Sequence, residues 1–122
     1  MANKIKLEDT CLTIEQVLEL KLLGFEFKDT ALVFCDYDNK NYEYVYKLMI
    51  NREGVEIGAL SIIPTLTNTE MYNMFPNLSC IEKDNGWLIW NRSLEIEEEY
   101  YKPLLRDSLF EMLKCLKINK FI

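Results

Sequence analysis

Hydrophobic residues recur along this chain at helical spacing, then at strand spacing, then at helical spacing again, and the changes of period mark out its elements. Ile14, Val17, Leu18 and Leu22 fall on one face at a 3.6-residue period, widened by Leu20 and Leu23, while Glu15, Glu19 and Lys21 lie elsewhere. Thr13 stands three residues before Gln16, a spacing at which hydroxyl and amide satisfy each other's backbone donors. Gly24 offers a left-handed stop, so the pattern predicts an amphipathic helix over Ile14–Leu23 packing that face on the core.

Ala31–Tyr37 is rich in strand formers and runs into the turn-prone Asp38-Asn39-Lys40-Asn41. The next stretch alternates strictly, with Tyr42, Tyr44, Tyr46 and Leu48 on one face and Glu43, Val45 and Lys47 on the other, which predicts a strand hairpinned to its predecessor. Asn51-Arg52-Glu53-Gly54 is a second turn, and Val55–Ile63 reads as a third strand limited by Pro64. Thr67 and Glu70 repeat the capping spacing ahead of a short helix that Pro76 ends. Leu78–Lys83 and Trp87–Arg92 flank Asp84-Asn85-Gly86, whose Asn-Gly pair signals a tight hairpin. Leu105, Leu109, Met112, Leu113 and Leu116 then share one helix face, with Lys114, Lys117 and Lys120 near the negative end of the helix dipole. Pro103 belongs in or near the first turn, so Glu97–Glu99 form either a preceding turn or a kinked extension.

Strands grouped between helices, rather than alternating with them, predict an α+β fold. We expect about five strands in one mostly antiparallel sheet, with an N-terminal helix, a short middle helix and a long C-terminal helix. No linker composition or internal repeat interrupts the 122 residues, so 1–122 reads as a single compact domain.

Composition narrows the chemistry. There is no histidine, which removes Ser-His-Asp and Cys-His nucleophile pairs, HExxH zinc sites and Cys2His2 fingers. Lys and Arg number 14 against 20 Asp and Glu, a formal charge of −6, which disfavours nucleic acid as a partner. No apolar run approaches a membrane span and no signal-peptide pattern follows Lys4 and Lys6, so the expected location is the cytosol. There Cys11, Cys35, Cys80 and Cys115, which share no CxxC spacing, read as small buried hydrophobes. Asp36-Tyr37-Asp38 opens like a calcium loop, but Lys40, Asn41 and Lys47 occupy the positions that would need a ligand, a glycine and a bidentate carboxylate. No glycine-rich phosphate loop is present. The expectation is a non-enzyme with no catalytic residues, metal or cofactor.

Two groups of residues remain as candidate partner-binding positions. One is aromatic: Tyr42, Tyr44 and Tyr46 on a strand face, with Trp87 and Trp90 on the hairpin, rings that either fill the core or form a partner or self-association surface. The other is the run containing Glu97, Glu98 and Glu99, which reads as a solvated surface ahead of a helix or as a mimic of a phosphate backbone.

The layout resembles a group of small, uncharacterised accessory proteins of phages and mobile elements from Bacteroides-type bacteria. The resembling pieces are Leu12–Gln16 running to Leu20–Phe25, Ile63-Pro64-Thr65-Leu66 with Glu70-Met71 and Phe75-Pro76, Gly86-Trp87, and the closing leucine-rich helix. The 31–61 stretch departs from that pattern. The resemblance implies a genetic setting and carries over no site residue. Taken with it, the expected function is non-catalytic: an accessory factor that binds a host or phage protein stoichiometrically, for example to inhibit a host defence system, and that is also a candidate homo-oligomer. The alternatives are a sponge for a signalling nucleotide, with Lys47, Arg52, Arg92 or Arg106 on its phosphate, and a histidine-independent enzyme.

Overall fold

The computed structural model describes residues 6–36, 46–52, 61–75, 78–91 and 100–120. Helix α1 (Ile14–Leu22) begins where Thr13 predicts. The Gln16 backbone N–H donates to Thr13 Oγ1 at 3.2 Å, and the Thr13 N–H donates to Gln16 Oε1 at 2.9 Å. Gly24, at φ 101°, turns the chain out of the helix. Helix α2 (Asn68–Asn73) opens on the same reciprocal pair, made by Thr67 and Glu70. Helix α3 (Leu105–Ile118) buries Leu109, Met112, Leu113 and Leu116 completely, the face that the spacing predicts.

The chain is α+β, but among the described residues the strands form two three-stranded antiparallel sheets rather than one of five. In the first, β1 (Leu32–Asp36) runs between β2 (Lys47–Ile50) and β3 (Ser61–Thr65), with Phe34 opposite Leu48 and Ile63. In the second, β5 (Gly86–Asn91) runs between β4 (Leu78–Lys83) and β6 (Tyr100–Lys102), with Leu88 opposite Ile81 and Tyr101. Strand β6 has no counterpart in the sequence pattern, because three residues directly before a proline are too few for an alternation to register.

Three local expectations change. Pro64 lies inside β3, opposite Val33, instead of ending the strand. An outer strand leaves one row of backbone groups out of the pairing, and there a missing donor is tolerated. In the β4–β5 hairpin, Lys83 pairs with Gly86, so the two central turn residues are Asp84 at φ 49° and Asn85 at φ 66°, and Gly86 is the first residue of β5. On α1, Val17 and Leu20 face the core, whereas Leu18 and Leu22 are 48% and 89% exposed. The expected turns at 38–41 and 51–54 and the expected strand over 55–63 lie wholly or partly outside the described residues.

Helix α3 packs on β5, β6 and α2, and α1 lies against β3. The main core joins Val17 and Leu20 of α1, Met71 of α2 and Ile89 of β5 around the buried face of α3, with Ile63 and Tyr100 packed at its margin. Val33 and Cys35 form a smaller cluster with Met49 and Ile62 on the other face of the first sheet. No helix among the described residues is long and apolar enough to cross a membrane.

Candidate functional site

Just ahead of α1, the chain makes a single 3-10 turn, Leu7–Thr10, which places Glu8 and Asp9 side by side. Cys11 bridges Thr67, the Leu12 N–H donates to the Leu66 carbonyl at 2.9 Å, and Thr65 Oγ1 donates to the Leu12 carbonyl at 2.8 Å. This segment is thereby fixed against the end of β3. Arg106, in the first turn of α3, ties the same segment from the other side. Its Nη1 donates to the carbonyls of Glu8 and of Cys11, the latter at 3.2 Å, and its Nε donates to Asp107 Oδ1 at 3.3 Å. Gln16 Nε2 donates to the same Asp107 oxygen at 2.7 Å, so the starts of α1 and α3 are held together.

Between these pieces lies a cleft of about 330 Å³. Ile14 and Phe34 supply its apolar lining, Glu8, Asp9 and Glu15 its carboxylates, and Thr13 and Arg106 complete the wall. Arg106 leaves the three acids in excess, because it brings one positive charge to the lining and that charge is already paired with Asp107 at 3.3 Å. The cleft therefore combines an apolar pair with an excess of carboxylates. That combination suits an alkylammonium or guanidinium group whose stem lies on Phe34 and Ile14, and it opposes a phosphate.

Reactive groups near the cleft are held quiet. Cys11 is fully buried, and burial pushes its thiol pKa up, outweighing the Arg106 charge and the nearby Thr65 side chain, which act the other way. A thiol held protonated is a poor nucleophile. Cys35 and Cys115 are likewise free and buried. Among the described residues no group of three or more Cys, Asp or Glu is arranged to hold a metal ion.

The residues singled out from the sequence do not form one surface. Trp87 and Trp90 stand three apart on β5 and so take opposite faces of the second sheet, Trp87 with the buried Ile89 and Trp90 with Leu88. The Trp87 carbonyl accepts from Ser108 Oγ of α3 at 2.7 Å. Tyr46 precedes β2, half-buried, and its hydroxyl donates to Ser61 Oγ at 3.1 Å. Of the cationic set, Arg106 reaches the cleft, whereas Lys47 pairs with Cys35 and so takes the face of the first sheet opposite to Phe34. Arg52 is exposed just past β2. Tyr42, Tyr44, Arg92, Glu97, Glu98 and Glu99 lie outside the described residues. Sequence reasoning missed Glu8, Asp9, Glu15 and Phe34, whose only signal was the Glu8-Asp9 pair near a helix start.

The fold and cleft define the class: among the described residues, an α+β arrangement of three helices and two three-stranded antiparallel sheets, with a cleft lined by apolar and acidic side chains where two helix starts meet. Comparison with protein-family models, curated proteins and solved structures finds no match.

Proposed function

We propose that this protein works by stoichiometric binding to another protein, without catalysis, and that its cleft receives a basic side chain of that partner. The cleft carries this reading: three carboxylates and two apolar side chains in one lining, with a single guanidinium that Asp107 already partners. The net charge of −6 adds a long-range attraction for a basic partner and favours fast encounter at low salt. The resemblance seen in the sequence supplies a setting for the proposal, an accessory factor of a phage or mobile element acting on a host protein such as a defence component.

The test is affinity capture from host lysate with mass analysis of both the protein and the small-molecule fractions. The expected result is one protein retained at a fixed ratio, weakened by salt and lost when Glu8→Lys and Glu15→Lys are combined. A nucleotide released unchanged by heat, with no protein retained, would replace this reading with sequestration. Turnover of a released ligand would replace it with catalysis.

A further inference from the structure

The 3-10 turn that carries Glu8 and Asp9 is not held in place by apolar burial. None of its four residues is buried, Leu7 is 53% exposed, and Lys6 ahead of it lends no side-chain cap. Within it, the Asp9 N–H donates to the Lys6 carbonyl at 2.9 Å and Thr10 Oγ1 to the Leu7 carbonyl at 2.7 Å. A turn this short does not persist on its own hydrogen bonds. Downstream the anchoring is firm, because Cys11 and Leu12 are fully buried and Leu12 is tied to Leu66 and Thr65. That fixes the end of the segment, whereas the two carboxylates stand two and three residues earlier.

Arg106 supplies the second fixed point. Its Nη1 donates both to the Glu8 carbonyl, inside the turn, and to the Cys11 carbonyl, just beyond it, so one nitrogen spans the segment. Among the described residues no other hydrogen bond joins this turn to a helix or strand. The guanidinium is itself oriented by Asp107 Oδ1, which accepts from Arg106 Nε and also from Gln16 Nε2 of α1. The place of Glu8 is thereby set relative to the starts of α1 and α3, the elements that bring Glu15 and Arg106 to the same cleft.

Arg106 thus acts on a cation in the cleft in two opposed ways. Its charge repels an incoming ammonium or guanidinium, while its hydrogen bonds keep two of the three carboxylates at the lining. We infer that the second effect prevails and that Arg106 is the positioning residue of this site, a fixed cation without which the cleft does not receive another. The pairing with Asp107 offsets part of its repulsion, and nothing offsets the loss of its tie to the Glu8 carbonyl. The inference rests on the proposed binding function and deepens it by naming the residue that shapes the site.

The probe is n-butylammonium, the lysine side chain without its backbone, titrated into the full chain at constant ionic strength. Binding is followed by the NMR shifts of Thr13, Ile14 and Phe34. Arg106→Ala and Arg106→Lys separate the two effects by sign. If charge ruled, alanine would tighten binding and lysine, which keeps the charge, would leave it unchanged. Positioning predicts that both weaken it, about fivefold or more for alanine and about twofold or more for lysine, whose ammonium cannot reproduce the fork of donors. Folded and unfolded chains give separate resonances, so these shifts report the folded molecule, and a loss of global stability alone would not move the affinity. Should Arg106→Ala fail to fold, Arg106→Lys carries the same test.

Affinity equal to or tighter than the parent's in Arg106→Ala, or fully kept in Arg106→Lys, overturns the inference and leaves the cleft reading standing. The combined Glu8→Lys and Glu15→Lys variant tests that reading separately and should abolish binding. Binding that survives it, or no saturable shift in the parent up to about 100 mM, removes the cleft reading and the inference together.

Discussion

Gly86 and Tyr101 occupy one space. A Cβ on Gly86 would lie 2.5 Å from Tyr101 Cζ, and the Tyr101 hydroxyl donates to the Asp84 carbonyl at 2.6 Å, so the ring lies against the bare start of β5 and pins the turn beside it. The glycine is there for this approach rather than for the turn, whose two left-handed positions belong to Asp84 and Asn85.

Gly86→Ala should therefore displace the ring and break its hydrogen bond, lowering stability by about 1–2 kcal/mol in urea denaturation. The informative measurement is the double-mutant cycle. With Tyr101→Ala already in place, Gly86→Ala should be neutral or stabilising by about 0.5 kcal/mol, because alanine restricts the unfolded chain more than glycine does. An equal loss in both backgrounds would mean that the turn, not the tyrosine, requires the glycine.

The sequence pattern was most informative where structure is local. Both capping boxes, the buried face of α3 and the β4–β5 hairpin involve residues three to thirteen apart, and each could be read from spacing. Sheet partition depends on pairings across the chain, so nothing local distinguished one five-stranded sheet from two of three. The phase of α1 was ambiguous for a related reason: with leucines at 18, 20, 22 and 23, two apolar faces are available, and the contacts with the rest of the fold choose Val17 and Leu20. The cleft was least legible. Its walls come from the 3-10 turn, α1, β1 and α3, and only Arg106 among them had been singled out, as a phosphate ligand, whereas its guanidinium braces backbone carbonyls.

Arg106 should consequently matter for stability beyond its single charge. Arg106→Ala leaves the Glu8 and Cys11 carbonyls and Asp107 without this donor and should cost about 2–3 kcal/mol. Arg106→Lys should recover less than half of that, because an ammonium cannot direct Nε at Asp107 while Nη1 serves two carbonyls. Full recovery by lysine in chemical denaturation would show that only the charge counts.

Alkaline pH should destabilise the protein in two steps. Burial raises the Cys11 pKa above its ordinary value, so the folded state holds that proton more tightly than the unfolded chain does. The stability it provides is complete below the unfolded thiol pKa and declines as pH rises through the folded one. Lys114 behaves with the same sign at higher pH. Burial alone would lower its pKa, but the hydrogen bond to Glu19 and the charge of Glu111 outweigh that and raise it. Its contribution, about 0.5 kcal/mol for a partly exposed pair, persists at neutral pH and is lost as the ammonium deprotonates. Urea midpoints from pH 7 to 11 should fall, Cys11→Ala flattening the earlier part of the decline and Lys114→Met the later part. Slopes unchanged by either substitution would remove these two groups as the cause.

Gln16→Glu separates the two roles of one side chain. Within α1 the change is conservative, since a carboxylate accepts the Thr13 N–H as well as an amide oxygen does, and Glu70 plays that part at the start of α2. Between helices it is not: Gln16 Nε2 donates to Asp107 Oδ1 at 2.7 Å, and a carboxylate there has no proton to give and meets a like charge. The variant should lose about 1–2 kcal/mol at pH 7. Repulsion raises the folded-state pKa of the new carboxyl pair above the unfolded value, so the loss should shrink as pH falls through that raised pKa and one shared proton restores a hydrogen bond. Gln16→Ala, which removes the cap and the bridge together, should lose a similar amount at pH 7 with no such recovery in acid. A Gln16→Glu variant as stable as the parent at pH 7 would mean that the link between the starts of α1 and α3 contributes nothing to stability.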